Sequence, residues 1–169
     1  MKSKLILFVA MLLVSSFSFA QTQKGNWIIS GNSSLQVMNA KPEQASSGVT
    51  TVTLNPSVGY FVVDGLAVGA GVTLVSAEGS TVFAVLPTAS YFFQTASSVK
   101  PYLQVGVGYG SLKSGGNSLV GLALGAGGGI VYLINKNVGL NAGLQYVRGD
   151  YDGNVTNTFG GVLGFSLFF

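Results

Sequence analysis

Among its 169 residues the chain has no cysteine and no histidine, and this double absence narrows the chemistry open to it. Without cysteine there is no disulfide framework, no thiolate metal site and no lipidated N-terminal cysteine. Without histidine, the usual general base of a Ser-His-Asp arrangement is missing. So are the imidazole ligands that zinc and copper favour. Charge is scarce as well: Asp, Glu, Lys and Arg make up 8% of the chain, where a soluble domain carries about 25%. The few carboxylates are scattered, so no acid and base pair is evident. The residues point away from catalysis and imply no cofactor and no metal.

Long hydrophobic runs are also lacking. The N-terminal segment pairs Lys2 and Lys4 with an apolar run from Leu5 to Val14 and then Ser18-Phe19-Ala20, the layout of a secretory signal. That run is too short for a membrane helix, which needs about 20 residues. Residues 1–20 are therefore expected to be a cleaved signal peptide, leaving Gln21 first and a single domain over 21–169, which is 149 residues (169 minus 20). The formal charge of +3 falls to +1 without the two signal lysines, so no nucleic-acid partner is implied. Apolar residues nonetheless make up 48% of the chain. A chain this apolar, this poorly charged and without a helical run fits lipid as a solvent, reached through a closed sheet.

Every second residue is apolar in eight segments separated by Gly, Asn, Asp and Ser clusters. They run from about Asn26 to Met38, Thr51 to Val62, Leu66 to Val75, Thr81 to Phe93, Leu103 to Gly110, Val120 to Tyr132, Val138 to Tyr146 and Thr158 to Phe169. The expected fold is all-β, an eight-stranded antiparallel up-and-down transmembrane β-barrel, since strands of about ten residues match a tilted membrane crossing. Val63-Asp64-Gly65 and Asn135-Lys136-Asn137 read as tight turns. The connection through Thr95 and Ser98 is somewhat longer. On the opposite rim Asn39 to Gly48, Ser111 to Ser118 and Arg148 to Asn154 read as longer loops, with Ser76 to Ser80 the shortest there. Short turns face the periplasm in such barrels, which would place both termini on that side.

Soluble barrels also alternate, so the second face decides the solvent. No Asp, Glu, Lys or Arg falls inside the eight segments, and the non-apolar face is rich in Gly, Ala, Ser and Thr, which suits a crowded interior. Leu124 is placed near mid-strand on the lipid face and Gly125 on the lumen face. Aromatics supply a second criterion. Trp27, Tyr60, Tyr91, Phe93, Tyr132 and Phe169 fall on the apolar face near the short-turn rim, forming an expected periplasmic-side girdle. Phe83, Tyr109, Tyr146 and Phe159 fall near the long-loop rim, forming an expected extracellular-side girdle.

Three motifs carry less than they spell. Arg148-Gly149-Asp150 is a tripeptide that integrins can recognise, but a single copy in a glycine-rich loop is usually coincidence. Asp150-x-Asp152-Gly153-Asn154 is a fragment of a calcium loop without its closing glutamate, so a plain turn is favoured. The Gly125 to Gly129 stretch precedes no helix and lacks the Lys-Ser/Thr of a phosphate loop, so close packing explains it better.

The eight segments, the signal and the ending Gly164-Phe165-Ser166-Leu167-Phe168-Phe169 together resemble the small outer-membrane β-barrel family of the OmpX-like and OmpW-like kind. The resemblance spans the mature chain and implies the outer membrane of a Gram-negative cell. It also implies that Gly164, Leu167 and Phe169 form part of the terminal signal read by the barrel assembly machinery. Leu167 stands where an aromatic is more usual and Val162 where a polar residue is. Outer-membrane lipid and that machinery are the implied partners, and no extracellular partner is named by the residues. An eight-stranded interior is just wide enough for side chains to fill, so the first functional expectation is a non-enzymatic structural or surface-interaction barrel. The second is a narrow conduit for small or apolar solutes, because the inward residues are small.

Overall fold

The computed structural model describes residues 21–37, 52–77, 80–114, 116–151 and 154–169. The expected signal and the Asn39 to Gly48 connection lie outside the described residues. Eight strands follow one another: β1 (Trp27–Val37), β2 (Val52–Val63), β3 (Leu66–Ala77), β4 (Ser80–Phe92), β5 (Val99–Ser114), β6 (Asn117–Leu133), β7 (Val138–Tyr151) and β8 (Asn154–Phe168). Each pairs antiparallel with its neighbours in sequence, and β8 pairs with β1 to close the barrel.

The register fixes the tilt. Partners followed round the barrel from Trp27 run through Tyr60, Val68, Ala89, Val105, Ala126, Tyr146 and Phe159 to Val37, ten residues above the start on the same strand. A stagger of this size tilts the strands by about 40° to the axis. It also raises each row of partners by about one and a quarter residues per strand crossed.

Two turns follow from local chemistry. Gly65 closes the β2–β3 turn at φ +81, a conformation that glycine adopts without strain. Asn135 closes the β6–β7 turn with its side-chain oxygen, which accepts from the Asn137 and Val138 N–H groups at 2.8 and 2.9 Å. Prolines leave a mark too. The β2–β3 register skips Asn55 and Pro56, and the β4–β5 register skips Leu86 and Pro87. A proline offers no N–H to the strand its backbone faces, so the ladder on that side is interrupted.

The rim opposite the termini differs from expectation. Ser111 to Ser114 and Asn117 belong to β5 and β6, Arg148 to Tyr151 to β7, and Ser76 and Ser80 to β3 and β4. Strand pairing therefore extends through most of three connections expected as loops, leaving two residues between the strand ends in each. Their Ser, Gly and Asn residues still make ladder bonds, because a paired neighbour supplies the partners. With the longer strands, Lys100, Lys113, Arg148 and Asp150 fall inside β5 and β7, which corrects the expectation of charge-free strands.

Close backbone approach gives a first test. A Cβ on Gly69 would fall onto the Val58 carbonyl, whereas one on Gly161 would meet nothing within 4 Å. Gly69→Ala is expected to cost about 1–3 kcal/mol in urea unfolding from lipid vesicles. Gly161→Ala should be neutral or stabilising by about 0.5 kcal/mol. Equal effects would contradict this packing.

Candidate functional site

The lumen has three levels. At the rim that carries the termini, Phe61, Phe92 and Phe168 turn inward from β2, β4 and β8. Their ring centroids lie 5.6 Å (Phe61–Phe92), 6.5 Å (Phe61–Phe168) and 6.4 Å (Phe92–Phe168) apart. Tyr102 stacks on Phe92 at 5.7 Å, and Ile28, Ala67, Val131 and Leu133 complete the buried cluster. Residues 21–26 are held against this end. The Thr22 carbonyl accepts from the Gly65 N–H at 2.7 Å and the Phe61 carbonyl from the Gly25 N–H at 2.9 Å. The Gln94 amide donates to the Thr22 hydroxyl at 2.9 Å. The plug departs from the expected small inward face. Strand parity was the available signal: Phe61 follows Gly59 by two residues, Phe92 follows Ser90 and Phe168 follows Ser166.

Above the plug the lumen is polar and uncharged. Ser30 and Ser166 share a hydrogen bond of 2.7 Å, the Asn141 amide donates to Ser166 at 2.9 Å, and it also reaches the Asn32 oxygen at 3.0 Å. Two cavities of about 30 and 60 Å³ adjoin this chain and share Asn32, Ser57, Thr88 and Gln104 in their walls. These volumes suit a few water molecules, at roughly 10–15 Å³ each. The buried Asn55 oxygen has no hydrogen-bond partner among the described residues and belongs to the larger cavity's wall. The third level is a small buried apolar cluster of Ala84, Leu86 and Ala123, with Tyr151 buried beyond it. Lys100 is buried near the plug, its ammonium donating to the Thr95 carbonyl at 2.6 Å.

The outer wall is apolar and exposed. Heights on it follow from the register, counted in residue steps from Trp27 with about one and a quarter steps added per strand. Trp27, Tyr60, Tyr91, Phe93, Tyr132 and Phe169 lie between about −1 and +2 steps. Phe83, Tyr109, Tyr146 and Phe159 lie between about 7 and 10 steps. All ten are exposed. At about 2.5 Å of axial rise per step the two sets are about 20 Å apart. Among the described residues no charged side chain faces outward between them. Arg148, Asp150 and Lys113 lie at about 9.5, 11.5 and 13 steps.

The same scale corrects one placement. Leu124 lies at about 8 steps, level with the upper aromatics, because strand tilt lifts it. Leu163, at about 5 steps and 58% exposed, occupies the middle of the band. Shallow grooves lie on this wall at both proline interruptions. One lies around Pro56 and has a volume of about 400 Å³; the other lies around Pro87 and has about 560 Å³.

The remaining sequence motifs do not converge on a site. Arg148 and Asp150 project outward from strand β7 while Gly149 packs under the Tyr151 ring, so the tripeptide is not in a loop. Asp152 and Gly153 lie outside the described residues. Of the three C-terminal residues, Gly164 lies against the Gly31 carbonyl, where a Cβ would overlap it, and Leu167 and Phe169 pair with Ile29 and Trp27.

The plug and the polar chain above it give a second test. Phe61→Ala is expected to cost about 3–5 kcal/mol, the penalty for a large buried ring. Asn141→Leu should cost about 1–3 kcal/mol by leaving Ser166 and Asn32 short of a partner. Both would be read from urea unfolding in lipid vesicles, and a Phe61→Ala cost below that of Asn141→Leu would sink the three-level description.

No family model matches the chain, and no curated protein sequence does. Solved structures do match. The N-terminal β-barrel domain of Pseudomonas aeruginosa OprF superposes with a TM-score of 0.63 at 16% identity, over 86% of this chain and 98% of that one. Neisserial surface protein A, NspA, superposes with a TM-score of 0.63 at 20% identity, over 86% and 96%. A de novo designed transmembrane β-barrel superposes with a TM-score of 0.55 at 12% identity, over 88% and 99%. A designed chain that shares the architecture makes the likeness one of fold and not of activity. The chain thus has the fold of the small eight-stranded outer-membrane β-barrels.

Proposed function

We propose that the chain is a non-enzymatic integral barrel of the outer membrane, with a sealed lumen, acting through its outer wall and its projecting rim. One observation carries the reading: the exposed apolar band, bounded by aromatics at two heights and free of outward charge between them among the described residues. Its height of about 20 Å is close to the about 25 Å band of outer-membrane barrels. In this reading the aromatics are interfacial girdles, the terminal rim faces the periplasm, and the signal is removed after Ala20. Gly164, Leu167 and Phe169 serve recognition by the assembly machinery before they serve the β1–β8 seam. The OprF domain and NspA support the membrane address by fold, and NspA is itself a surface protein.

On the distal side β5 and β6 end at Ser114 and Asn117, about 14 steps up. That is some 10 Å above the upper aromatics at about 2.5 Å per step. This raised wall is the surface offered for contact outside the cell. A conduit would require the Phe61, Phe92 and Phe168 rings to leave the lumen, which the burial of all three disfavours.

Two measurements test this. In planar bilayers the purified protein should show no discrete, reproducible conductance, and stable unitary currents would overturn the sealed-lumen reading. In vesicles Leu163→Arg should destabilise the barrel by about 2–4 kcal/mol and Leu124→Arg by about 0–1 kcal/mol. The reverse order would contradict the membrane placement.

A further inference from the structure

We propose that the groove around Pro87 binds one phosphorylated acyl lipid of the outer leaflet, with an acyl chain along the groove and the phosphate on the Arg148 guanidinium. The proposal rests on the membrane reading above. The groove is lined by Pro87, Ala89, Val105, Val107, Leu124 and Ala126, and its upper end is formed by Tyr146 and Arg148. Its depth has a cause in the sequence. Pro87 interrupts the β4–β5 ladder, and Ala89 and Ala126 are small among larger outward neighbours.

Height and charge select the occupant. From Ala89 at about 4 steps to Arg148 at about 9.5, the groove spans about 14 Å. That is close to one leaflet of a hydrocarbon core about 30 Å thick. Arg148 is exposed and stands level with Phe83 of the upper aromatic set, where lipid headgroups begin. Its planar fork suits two oxygens of a phosphate. The other charges on the outward faces of β5 and β7, Lys113 and Asp150, lie higher by about 3.5 and 2 steps. The groove around Pro56 supplies an internal comparison. It is lined by Gly31, Leu54, Leu74, Leu163 and Phe165 among others, and includes no cation. Bulk lipid chains suffice for that groove, whereas the Pro87 groove combines an apolar channel with a headgroup anchor.

The test uses the full mature chain in phosphatidylcholine vesicles doped with phosphatidic acid as the probe. Insertion is recorded first, by protease protection of the strands, and the lipid retained is then counted by native mass spectrometry. The wild-type barrel should keep one phosphatidic acid in preference to phosphatidylcholine. Arg148→Gln should reduce that retention about tenfold, the scale of a charge-assisted hydrogen bond. Ala126→Leu should reduce it by filling the groove with the cation intact, and Lys113→Gln should leave it unchanged. Unchanged retention in Arg148→Gln, equal loss in Lys113→Gln, or a second copy of the chain in place of lipid would each overturn the assignment. Failure to insert would defeat the membrane reading itself, whereas insertion with no preference for the probe would defeat only the groove.

Discussion

Closure of one hydrogen-bond ladder with a ten-residue stagger is the constraint on which the rest of this structure depends. Closure removes both sheet edges, so the wall can face an apolar solvent without unpaired backbone groups. The stagger then sets the tilt, and the tilt sets the depth of every outward residue. Trp27 and Phe159 lie in one row of paired residues, yet they stand near opposite ends of the band. Tyr132 and Trp27 lie in different rows and stand at almost the same height. The grouping of ten aromatics into two levels is a property of the closed barrel and is invisible on any single strand.

This explains what the sequence made legible and what it hid. Strand number, inward and outward parity and the turns at Asp64-Gly65 and Asn135 to Asn137 are local, because a period of two and a turn residue act over a few positions. Depth is not local, so Leu124 was read as central although it stands near the upper interface. Strand ends on the distal side were also misjudged. Ser111 to Ser114 and Arg148 to Tyr151 have loop-like composition, but a hairpin partner across the ladder outweighs that preference. The two outward charges in β7 follow from the same extension, since Arg148 lies at the upper edge of the apolar band and Asp150 above it.

The interior shows a related division. Gly69, Gly129 and Gly164 allow neighbouring backbones to approach inside a narrow, strongly tilted barrel. Small residues there cannot fill the lumen, and the remaining space is polar, bordered by Asn32, Ser57, Thr88 and Gln104. The plug of Phe61, Phe92, Tyr102 and Phe168 supplies the buried area that the middle of the lumen lacks. It resembles the core of a small soluble domain, confined to one end of the cylinder. Parity already assigned these rings to the inside, but the small residues preceding them on each strand concealed the change in size.

The barrel therefore keeps its polar chemistry and its apolar chemistry on opposite sides of a single-layer wall. Inside, Ser30, Asn32, Asn141 and Ser166 satisfy one another without a charge, so the midlevel of the lumen requires no counter-ion and offers an anion no cationic partner among the described residues. Outside, the prolines that interrupt the ladder lower the wall locally, and one such depression ends on an arginine at the height where headgroups begin. A depression without a cation selects for nothing beyond hydrocarbon, whereas one with a cation distinguishes lipids by their headgroups. On the proposed reading, specific recognition is thus concentrated on the exterior of the barrel. There, a two-residue gap in a ladder and one guanidinium suffice to turn a uniform wall into a site.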